Sequence, residues 1–354
     1  MKVSGKMKLN EFEKKVLKTI KDNNLIESGD KIVLAISGGP DSISMLNVLY
    51  KFCQTCLSPM TDDVNLVVAH VNHMIRKEAK EEENFVKSFC AERNIDFYSK
   101  SIDVVKYANN SKIGKEEAGR IVRYNFFDEI LKKTNANKIA IAHNKNDKVE
   151  TMIMNVFRGS GLSGLKGIEA KRDRYIRPLI DCERQEIEKY CEDENLNPRI
   201  DKTNFDNTYT RNKIRNVVIP YVKDNFNPSF IETMNRLSVL IREQNDFIDK
   251  LVEEKYNNII IKEEICQTCL SPMAENQTAI LDLKKFNKEE RVIKSRIVLY
   301  TITRMFGTSK GIEMIHVNDI IKLCENNIGN KYLTPNKNLK VVVKNHKIYF
   351  IKQN

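Results

Sequence analysis

Apolar positions in the first half of the chain alternate between short strand-like runs and longer stretches with helical spacing. A leading helix with its apolar side at Phe12, Val16 and Ile20 precedes strand-like runs at 31–37, 65–71, 96–102 and 138–142 and helical stretches at 41–52, 78–93, 115–133 and 146–157. Strands that alternate with helices predict an α/β fold with a doubly wound parallel sheet. Ligands of such sheets bind beyond the carboxyl ends of the strands.

The pattern changes near Pro220. Apolar residues then recur at helical spacing from residue 227 to about 256, which predicts a long helix. Residues 330–352 resemble short strands around a turn at 344–347. We therefore expect a catalytic domain over residues 1–217 and a smaller, mainly helical accessory domain over 218–354 that ends in a short β segment.

Composition narrows the class of protein. The 354 residues are 41% hydrophobic and 30% charged, which is typical of a globular chain. No apolar run approaches the ~20 residues that a membrane span needs, so we expect a cytoplasmic enzyme with no membrane partner. The net charge of +11 favours a polyanionic partner, although a lysine-rich composition can have other origins.

Lysines are concentrated at the C-terminal end. Residues 331–354 contain six lysines and no acidic residue. They fit either a solvated edge strand that is protected from sheet-to-sheet association or a surface that contacts a phosphate backbone. Both interpretations stay open from the sequence.

The segment Ser37-Gly-Gly-Pro-Asp-Ser42 follows a buried strand and precedes a helix, an order typical of an anion-binding turn. Its glycines let backbone N–H groups approach a phosphate closely, its serines add hydroxyl groups, and Asp41 is placed to hold Mg²⁺. The turn lacks the Gly-Lys-Ser/Thr ending of a Walker loop, which disfavours ordinary P-loop chemistry. The ATP-binding residues that we expect are Ser37, Gly38, Gly39, Pro40, Asp41, Ser42 and His70.

Two carboxylates lie three positions apart at a predicted helix start. Asp147 and Glu150 therefore share one helix face and point toward the same crevice as the anion-binding turn. Acids in a first turn also complement the helix dipole. As a functional pair they would hold a cationic amine.

Five arginines are candidates for contacts with phosphates, because guanidinium groups suit phosphates better than lysines do. Arg120 and Arg123 recur at helical spacing, Arg211 and Arg215 are four apart on one predicted helix face, and Arg158 follows another helix.

An octapeptide occurs twice, at residues 53–60 and 266–273, and each copy contains a Cys-x-x-Cys pair. Four such thiolates could hold zinc or an iron–sulfur cluster. Because both copies interrupt predicted connections, we favour a short insertion in two surface loops.

The ordered motifs resemble those of the tRNA(Ile)-lysidine synthetase family, a branch of the PP-loop ATP pyrophosphatase superfamily. The similarity extends over about residues 30 to 220. The motifs are Ser37–Ser42, His70–Arg76, Arg120–Tyr124, His143–Thr151, Arg158–Leu162, Arg177–Leu179, Asp201–Asn204 and Tyr209–Arg215. The family often has His-His and Asp-Gln where this chain has His143-Asn144 and Asp147-Lys148, which leaves the roles of Asn144 and Lys148 open.

The resemblance implies a ligase reaction. ATP, with Mg²⁺, adenylates the wobble cytidine in the CAU anticodon of an isoleucine tRNA, and free L-lysine then displaces AMP to give lysidine. Free lysine arrives protonated, because its side-chain pKa is about 10.4, so a base is required. We expect Glu150 or His143 to be that base, Asp41 to be catalytic with Mg²⁺, and the accessory domain to bind tRNA.

Three other functions stay open from the sequence: a PP-loop tRNA thiolase, an amide-forming synthetase for a small molecule, and a noncatalytic RNA-binding protein. The sequence also leaves the choice between a monomer and a homodimer open.

Overall fold

The computed structural model describes residues 9–55, 63–74, 79–199, 208–264, 277–326 and 331–353. The chain divides into two compact units, Met1–Ile241 and Arg242–Asn354. Its elements, in chain order, are α1 (Glu11–Asp22), β1 (Lys31–Ala35), α2 (Pro40–Thr55), β2 (Asn65–Asn72), α3 (Ala79–Ala91), β3 (Asp96–Ser101), α4 (Val104–Ser111), α5 (Lys115–Thr134), β4 (Lys138–Ile141), α6 (Lys145–Phe157), β5 (Lys171–Arg172), β6 (Tyr175–Ile176), α7 (Arg184–Asp193), α8 (Thr210–Lys213), α9 (Ile219–Asn225), α10 (Phe230–Ile259), β7 (Ile260–Glu264), β8 (Thr278–Asp282), α11 (Leu283–Asn287), α12 (Arg291–Phe306), α13 (Met314–Glu325), β9 (Tyr332–Asn336), β10 (Leu339–Lys344) and β11 (Lys347–Lys352).

The sheet of the first unit has the strand order β3-β2-β1-β4-β6-β5. All neighbours are parallel except β5 and β6. The chain runs outward from β1 to β2 and β3, and then returns to place β4 on the other side of β1. This reversal confirms the doubly wound α/β prediction and opens a crevice beyond the carboxyl ends of β1 and β4.

Helices cover both faces of this sheet, because alternate strand residues point to opposite sides. Ile32 and Leu34 of β1 pack in the cluster that contains residues of α1, α2 and α7. Val33 packs on the other side with Phe126 and Phe127 of α5. Burial on both faces explains why β1, β2 and β4 are nearly continuous apolar runs rather than alternating ones.

The predicted long helix is present as α10, whose 30 residues begin in the first unit and end in the second. Its first turns pack on α6: Ile231 lies in a cluster with Val149 and Ile153. The division between the compact units therefore falls after Ile241. The assignment of a catalytic role to residues 1–217 and an accessory role to 218–354 stays a prediction.

The second unit contains an antiparallel sheet with the order β7-β8-β11-β10-β9. The turn between β10 and β11 is formed by Asn345 and His346, both with positive φ, as the two-residue turns of twisted hairpins require. Four of the C-terminal lysines lie on β10 and β11, namely Lys340, Lys344, Lys347 and Lys352. Both strands have neighbours on each side, so protection of an edge strand does not explain these lysines.

Even the longest described helix, α10, lacks the apolar composition of a membrane span, and so do the shorter described helices. Helix α2 extends to Thr55 and so includes the first three residues of the first octapeptide. The remainder of that octapeptide and the whole second copy lie outside the described residues.

Candidate functional site

The anion-binding turn is held in shape by the hydroxyl group of Ser42. This buried oxygen accepts hydrogen bonds from the backbone N–H groups of Ser37 (3.2 Å) and Gly38 (3.1 Å) and donates to the carbonyl oxygen of Gly39 (3.0 Å). The hydroxyl groups of Ser37 and Ser42 are 3.2 Å apart. Ser42 therefore organises the turn from within, a role that the sequence did not distinguish from direct phosphate contact.

Gly38 has a φ of 94°, which side chains with a Cβ rarely adopt. Pro40 occupies the first helical position of α2, where its missing N–H removes no helical hydrogen bond. The turn thus leads directly into the positive end of the α2 dipole, with Asp41 in the first turn. This geometry suits an anion at the carboxyl end of β1.

Asp41 is hydrogen-bonded to Asn144, which lies in the connection between β4 and α6. The Asn144 side-chain amide donates to Oδ1 of Asp41 over 2.8 Å. Burial and the nearby charge of Asp147 raise the pKa of Asp41 to about 6, although the Asn144 hydrogen bond and the charges of Arg184 and Arg215 oppose the rise. Asn144 itself is completely buried.

Asn144 also caps α6. Its side-chain oxygen accepts from the backbone N–H of Asp147 (2.9 Å), and Asp147 Oδ2 accepts from the backbone N–H of Asn144 (3.1 Å). This reciprocal arrangement is a capping box, which satisfies two N–H groups at the helix start. One departure from the family pattern is therefore accounted for, because Asn144 both caps α6 and holds Asp41.

Asp147 and Glu150 lie together on α6, as their spacing predicted, and both are buried. The structure adds two arginines that bind them. Arg215 contacts Glu150 through Nε (2.6 Å) and Nη2 (2.9 Å) and reaches Asp147 Oδ1 through Nη2 (3.1 Å). Arg211 donates from Nε to Glu150 Oε2 (3.0 Å) and from Nη2 to Thr151 Oγ1 (3.0 Å).

The arginines come from a helical segment with irregular winding. Helix α8 continues into a π-helical turn at Ile214–Val218 and then into α9. Arg211 lies in α8 and Arg215 in the π turn, which is a conformation frequent at functional sites. Their four-residue spacing was visible in the sequence, but their carboxylate partners on α6 were not.

Arg184 is a site residue that the sequence reasoning missed. It begins α7, and its Nη2 lies 3.8 Å from Asp147 Oδ1. Burial alone would raise the pKa of Asp147, but the surrounding positive charges, led by Arg211, hold it below the usual range. Asp147 is therefore ionised at neutral pH.

His143 lies shortly before α6 and accepts a hydrogen bond from another arginine, Arg177. Nε of Arg177 donates to His143 Nδ1 over 3.2 Å. Burial and the charges of Arg177, Arg211 and Arg120 lower the pKa of His143 to about 4, against the opposing effect of Asp147. The imidazole is therefore neutral at pH 7, and because Nδ1 accepts a hydrogen bond, its proton lies on Nε2.

His70 lies within the sheet. Its Nδ1 is 2.9 Å from the carbonyl oxygen of Ile36, and only 2% of the residue is exposed. Burial lowers its pKa, although the contact with Ile36 and the charge of Glu83 act in the opposite direction. His70 braces the end of β1 immediately before the anion-binding turn, and a direct contact with ATP stays a prediction.

The remaining arginines are placed differently. Arg120 stacks on the ring of Tyr124 at 4.9 Å, and its charge acts on His143. Burial lowers the pKa of Arg123, and the positive charges of Arg120 and Arg211 act in the same direction. Arg158 is exposed at the C-terminal end of α6. Because a helix rises 1.5 Å per residue, Arg158 is roughly 16 Å along the axis from Asp147.

The second departure from the family pattern, Lys148, faces away from the carboxylates. Its Nζ donates to Asn235 of α10 over 2.7 Å, and the neighbouring Lys145 pairs with Glu232 over 2.8 Å. Gly167 allows the close approach of Lys148, since a Cβ there would lie 2.9 Å from its side chain. Lys148 thus holds α6 against the start of α10.

Four of the five thiols in the described ranges offer little support for cysteine chemistry. Cys90, Cys182, Cys191 and Cys324 are buried, and burial raises the pKa of each to about 12. A thiol is nucleophilic as its thiolate, so these four are poor candidates for a sulfur-transfer reaction. Three of the four octapeptide cysteines lie outside the described residues.

The fit of Mg²⁺ to Asp41 can be judged from the chemistry of the donors. A carboxylate oxygen beside an anion-binding turn is a hard ligand of the kind Mg²⁺ prefers. Within the described ranges, no group of three or more His, Cys, Asp or Glu side chains is arranged to hold a metal ion by itself. Asp41 therefore suits Mg²⁺ that is carried mainly by the phosphates of a nucleotide.

Comparisons with known proteins agree with this geometry. Residues 8–222 match the ATP_bind_3 family, described as a PP-loop domain. A tRNA(Ile)-lysidine synthase from Clostridioides difficile is 43% identical over 94% of this chain and 69% of its own length. Another from Clostridium acetobutylicum is 42% identical over 91% of this chain and 66% of its own length. The chain therefore spans about two thirds of the length of these relatives.

A solved structure is similar at the level of the fold. The U34-tRNA thiolase NcsA from Methanococcus maripaludis, with its [4Fe-4S] cluster, aligns with a TM-score of 0.55 and 18% identity, covering 66% of this chain and 78% of that one. At this identity the likeness concerns the PP-loop fold alone.

Proposed function

The chain belongs to the tRNA(Ile)-lysidine synthase family of PP-loop proteins, and from that premise we propose that it joins L-lysine to the wobble cytidine of an isoleucine tRNA with a CAU anticodon. The 2-carbonyl oxygen of the cytidine attacks the α-phosphorus of ATP and releases pyrophosphate. The amine of lysine then displaces AMP from the activated carbon. The observation that best supports the proposal is the hydrogen-bonded chain from Asp41 through Asn144 to Asp147.

The first step needs charge stabilisation on the leaving pyrophosphate. Backbone N–H groups of the Ser37–Ser42 turn and the α2 dipole would bind the phosphates. When bound at Asp41, Mg²⁺ would neutralise charge on them. Asn144 would orient the Asp41 carboxylate, because the amide contact fixes one of its oxygens. We expect all three substrates, ATP, lysine and tRNA, to meet in the cytoplasm.

The second step needs a deprotonated amine. Asp147 and Glu150 would attract the ammonium group of lysine, and Glu150 or His143 would accept its proton. His143 would first have to release Arg177, because Nδ1 accepts from that guanidinium while Nε2 carries the proton. Glu150 would have to exchange at least one arginine contact.

The tRNA would be held by positive side chains. Arg120, whose charge acts on His143, and Arg123, whose charge acts with that of Arg120, would bind phosphates close to the reacting base. Arg158, at the far end of α6, would bind the RNA strand farther away. Within the proposed accessory domain, residues 218–354, the lysines on β10 and β11 would contact the phosphate backbone of the tRNA. A homodimer stays a prediction.

The test supplies purified protein with ATP, Mg²⁺, labelled lysine and either an isoleucine or a methionine tRNA with a CAU anticodon. We expect label only in the isoleucine tRNA, with AMP and pyrophosphate released. Asp41→Asn should lose roughly 100-fold in rate, the scale of one charge-stabilising contact. Arg174→Gln, which breaks a surface ion pair with Asp128, is the matched control and should retain the rate.

Other outcomes would redirect the assignment. Pyrophosphate release without RNA would indicate a small-molecule synthetase, and sulfur incorporation into tRNA would indicate a thiolase. Binding of tRNA without pyrophosphate release would indicate a noncatalytic protein. For the proton acceptor, unchanged single-turnover transfer of lysine by both Glu150→Gln and His143→Ala would contradict our choice of base.

A further inference from the structure

The carboxylates proposed to attract lysine are already occupied by the chain's own arginines. Both oxygens of Glu150 accept from Arg211 or Arg215, and Asp147 Oδ1 accepts from Arg215. The Glu150 side chain is 1% exposed, whereas those of Arg211 and Arg215 are 28% and 20% exposed. The guanidinium groups therefore lie between Glu150 and solvent.

The charges around Asp147 and Glu150 determine whether the ammonium group of lysine can also bind there. Asp147 and Glu150 together carry two negative charges, while Arg211, Arg215 and Arg184 contribute three positive ones within 4 Å. Asp41, on which Asp147, Arg184 and Arg215 all act, adds a third negative charge, so the three guanidinium groups are balanced by carboxylates. An ammonium group would have to displace a guanidinium group from Glu150 or Asp147, so in this arrangement contact closes the site to free lysine.

Two of these three arginines are electrostatically coupled to the nucleotide side of the crevice. The charges of Arg184 and Arg215 both act on Asp41. Asp41 is in turn one hydrogen-bonded side chain, Asn144, away from Asp147. A triphosphate bound at the adjacent Ser37–Ser42 turn would place several anionic oxygens near these guanidinium groups. Guanidinium binds phosphate and carboxylate oxygens with the same two-pronged geometry, so the two anions compete for it.

We propose that ATP makes the lysine site available by drawing Arg211 and Arg215 from Glu150 and Asp147 onto its phosphates, so that lysine binds after the nucleotide. The inference rests on the proposed function, since it assumes that these carboxylates receive lysine. The exchange is a movement of contacts with no bond made or broken. It prevents lysine from occupying the site before an electrophile can be formed there.

The irregular helix that carries the arginines is consistent with such an exchange. Arg215 belongs to the π turn at Ile214–Val218, which follows the four-residue helix α8. A π turn contains a wider hydrogen-bonded loop than an α turn and often marks a functional position. Both arginines therefore project from a helical segment that departs from regular α-helical winding.

Equilibrium dialysis with labelled L-lysine tests the order directly. The probes are Mg²⁺ alone, Mg²⁺ with adenosine, and Mg²⁺ with α,β-methylene ATP, which resists cleavage between the α and β phosphates. We expect the methylene analogue to tighten lysine binding at least tenfold and adenosine to have no effect. Equal lysine affinity with and without the analogue, or no lysine binding in either state, would overturn the proposal.

Variants separate the exchange from general effects on folding. Arg215→Gln should bind lysine without nucleotide, because it removes the cation shared by both carboxylates, and Arg215→Lys should stay nucleotide-dependent. Arg211→Gln provides a second test if Arg215→Gln does not fold. Arg174→Gln, at the surface pair with Asp128, should behave like the unmodified protein. Persistent nucleotide dependence in a folded Arg→Gln variant contradicts the proposal.

The binding assay and the lysine-transfer assay can fail independently. Nucleotide-dependent lysine binding without transfer to tRNA would leave the exchange standing and reject the proposed reaction. Transfer of lysine to tRNA together with nucleotide-independent lysine binding would support the proposed reaction and reject the exchange.

Discussion

Single side chains at this site make several structural contacts at once. Asn144 uses its oxygen to cap α6 and its amide to bind Asp41. Ser42 uses one hydroxyl group to fix three backbone groups of the turn. Because the two roles of Asn144 use different atoms of one side chain, a substitution that preserves helix capping can still remove the contact with Asp41.

His143 gives the clearest dependence on pH. Its pKa is about 4 in the folded chain, against about 6.5 when unfolded. Between these values the unfolded chain binds a proton that the folded chain does not, so the free energy of unfolding falls as pH is lowered from 6.5 to 4. From pH 7 to 5 the unmodified protein should lose about 2 kcal/mol more than His143→Gln.

Urea unfolding at the two pH values measures this difference. His346→Asn, at an exposed position in the β10–β11 turn, is the matched control and should lose as much stability as the unmodified protein. Parallel losses in His143→Gln and the unmodified protein would contradict the lowered pKa of His143.

The sequence predicted those site residues whose partners lie in the same element. The Ser37–Ser42 turn and the Asp147–Glu150 pair depend on spacing within a few positions, which periodicity reveals. The pairing of Arg184 with Asp147 and of Arg177 with His143 joins residues 37 and 34 positions apart. Such pairs depend on how elements pack, and no local pattern in one sequence encodes them.

At the scale of elements, the sequence pattern predicted the first four strands, β1 to β4, and the long helix α10. It missed α4, which has eight residues, and the two-residue strands β5 and β6. Short elements contain too few turns or alternations to rise above chance. They form here because neighbouring elements pair with them, as β4 does with β6.

The contact between α6 and the start of α10 yields a prediction about stability. Ile231→Ala should lower the free energy of unfolding by about 2–5 kcal/mol, because the residue is 4% exposed and packs with Val149 and Ile153. Leu240→Ala, at a position 57% exposed on the same helix, should change it by no more than about 0.5 kcal/mol. Equal effects of the two substitutions in urea unfolding would argue against this packing.

At the scale of the whole molecule, each unit has its own hydrophobic core. One cluster of the second unit joins α10 from Val252 onward with α12, α13 and the antiparallel sheet. The clusters of the first unit include Ile231 but no residue beyond Ile241. The sequence predicted a change of architecture near Pro220, but the helix that follows contributes its first turns to the preceding core.

Truncation distinguishes the two boundaries. A fragment of residues 1–241 should unfold cooperatively. A fragment of residues 1–217 should be less stable by at least about 3 kcal/mol, because it lacks Ile219 and Ile231, which pack with Val149 and Ile153. Circular dichroism during urea titration compares them. Equal stability of the fragments would place the boundary near residue 217.

The reactivity of the buried thiols reports local opening of each unit. Cys90, Cys182 and Cys191 belong to the first unit and Cys324 to the second. An alkylating reagent modifies each thiol only when its surroundings open, since burial suppresses the thiolate form. Mass spectrometry of digests taken at timed intervals of alkylation would therefore follow the opening of each unit separately, with no substitution in the chain.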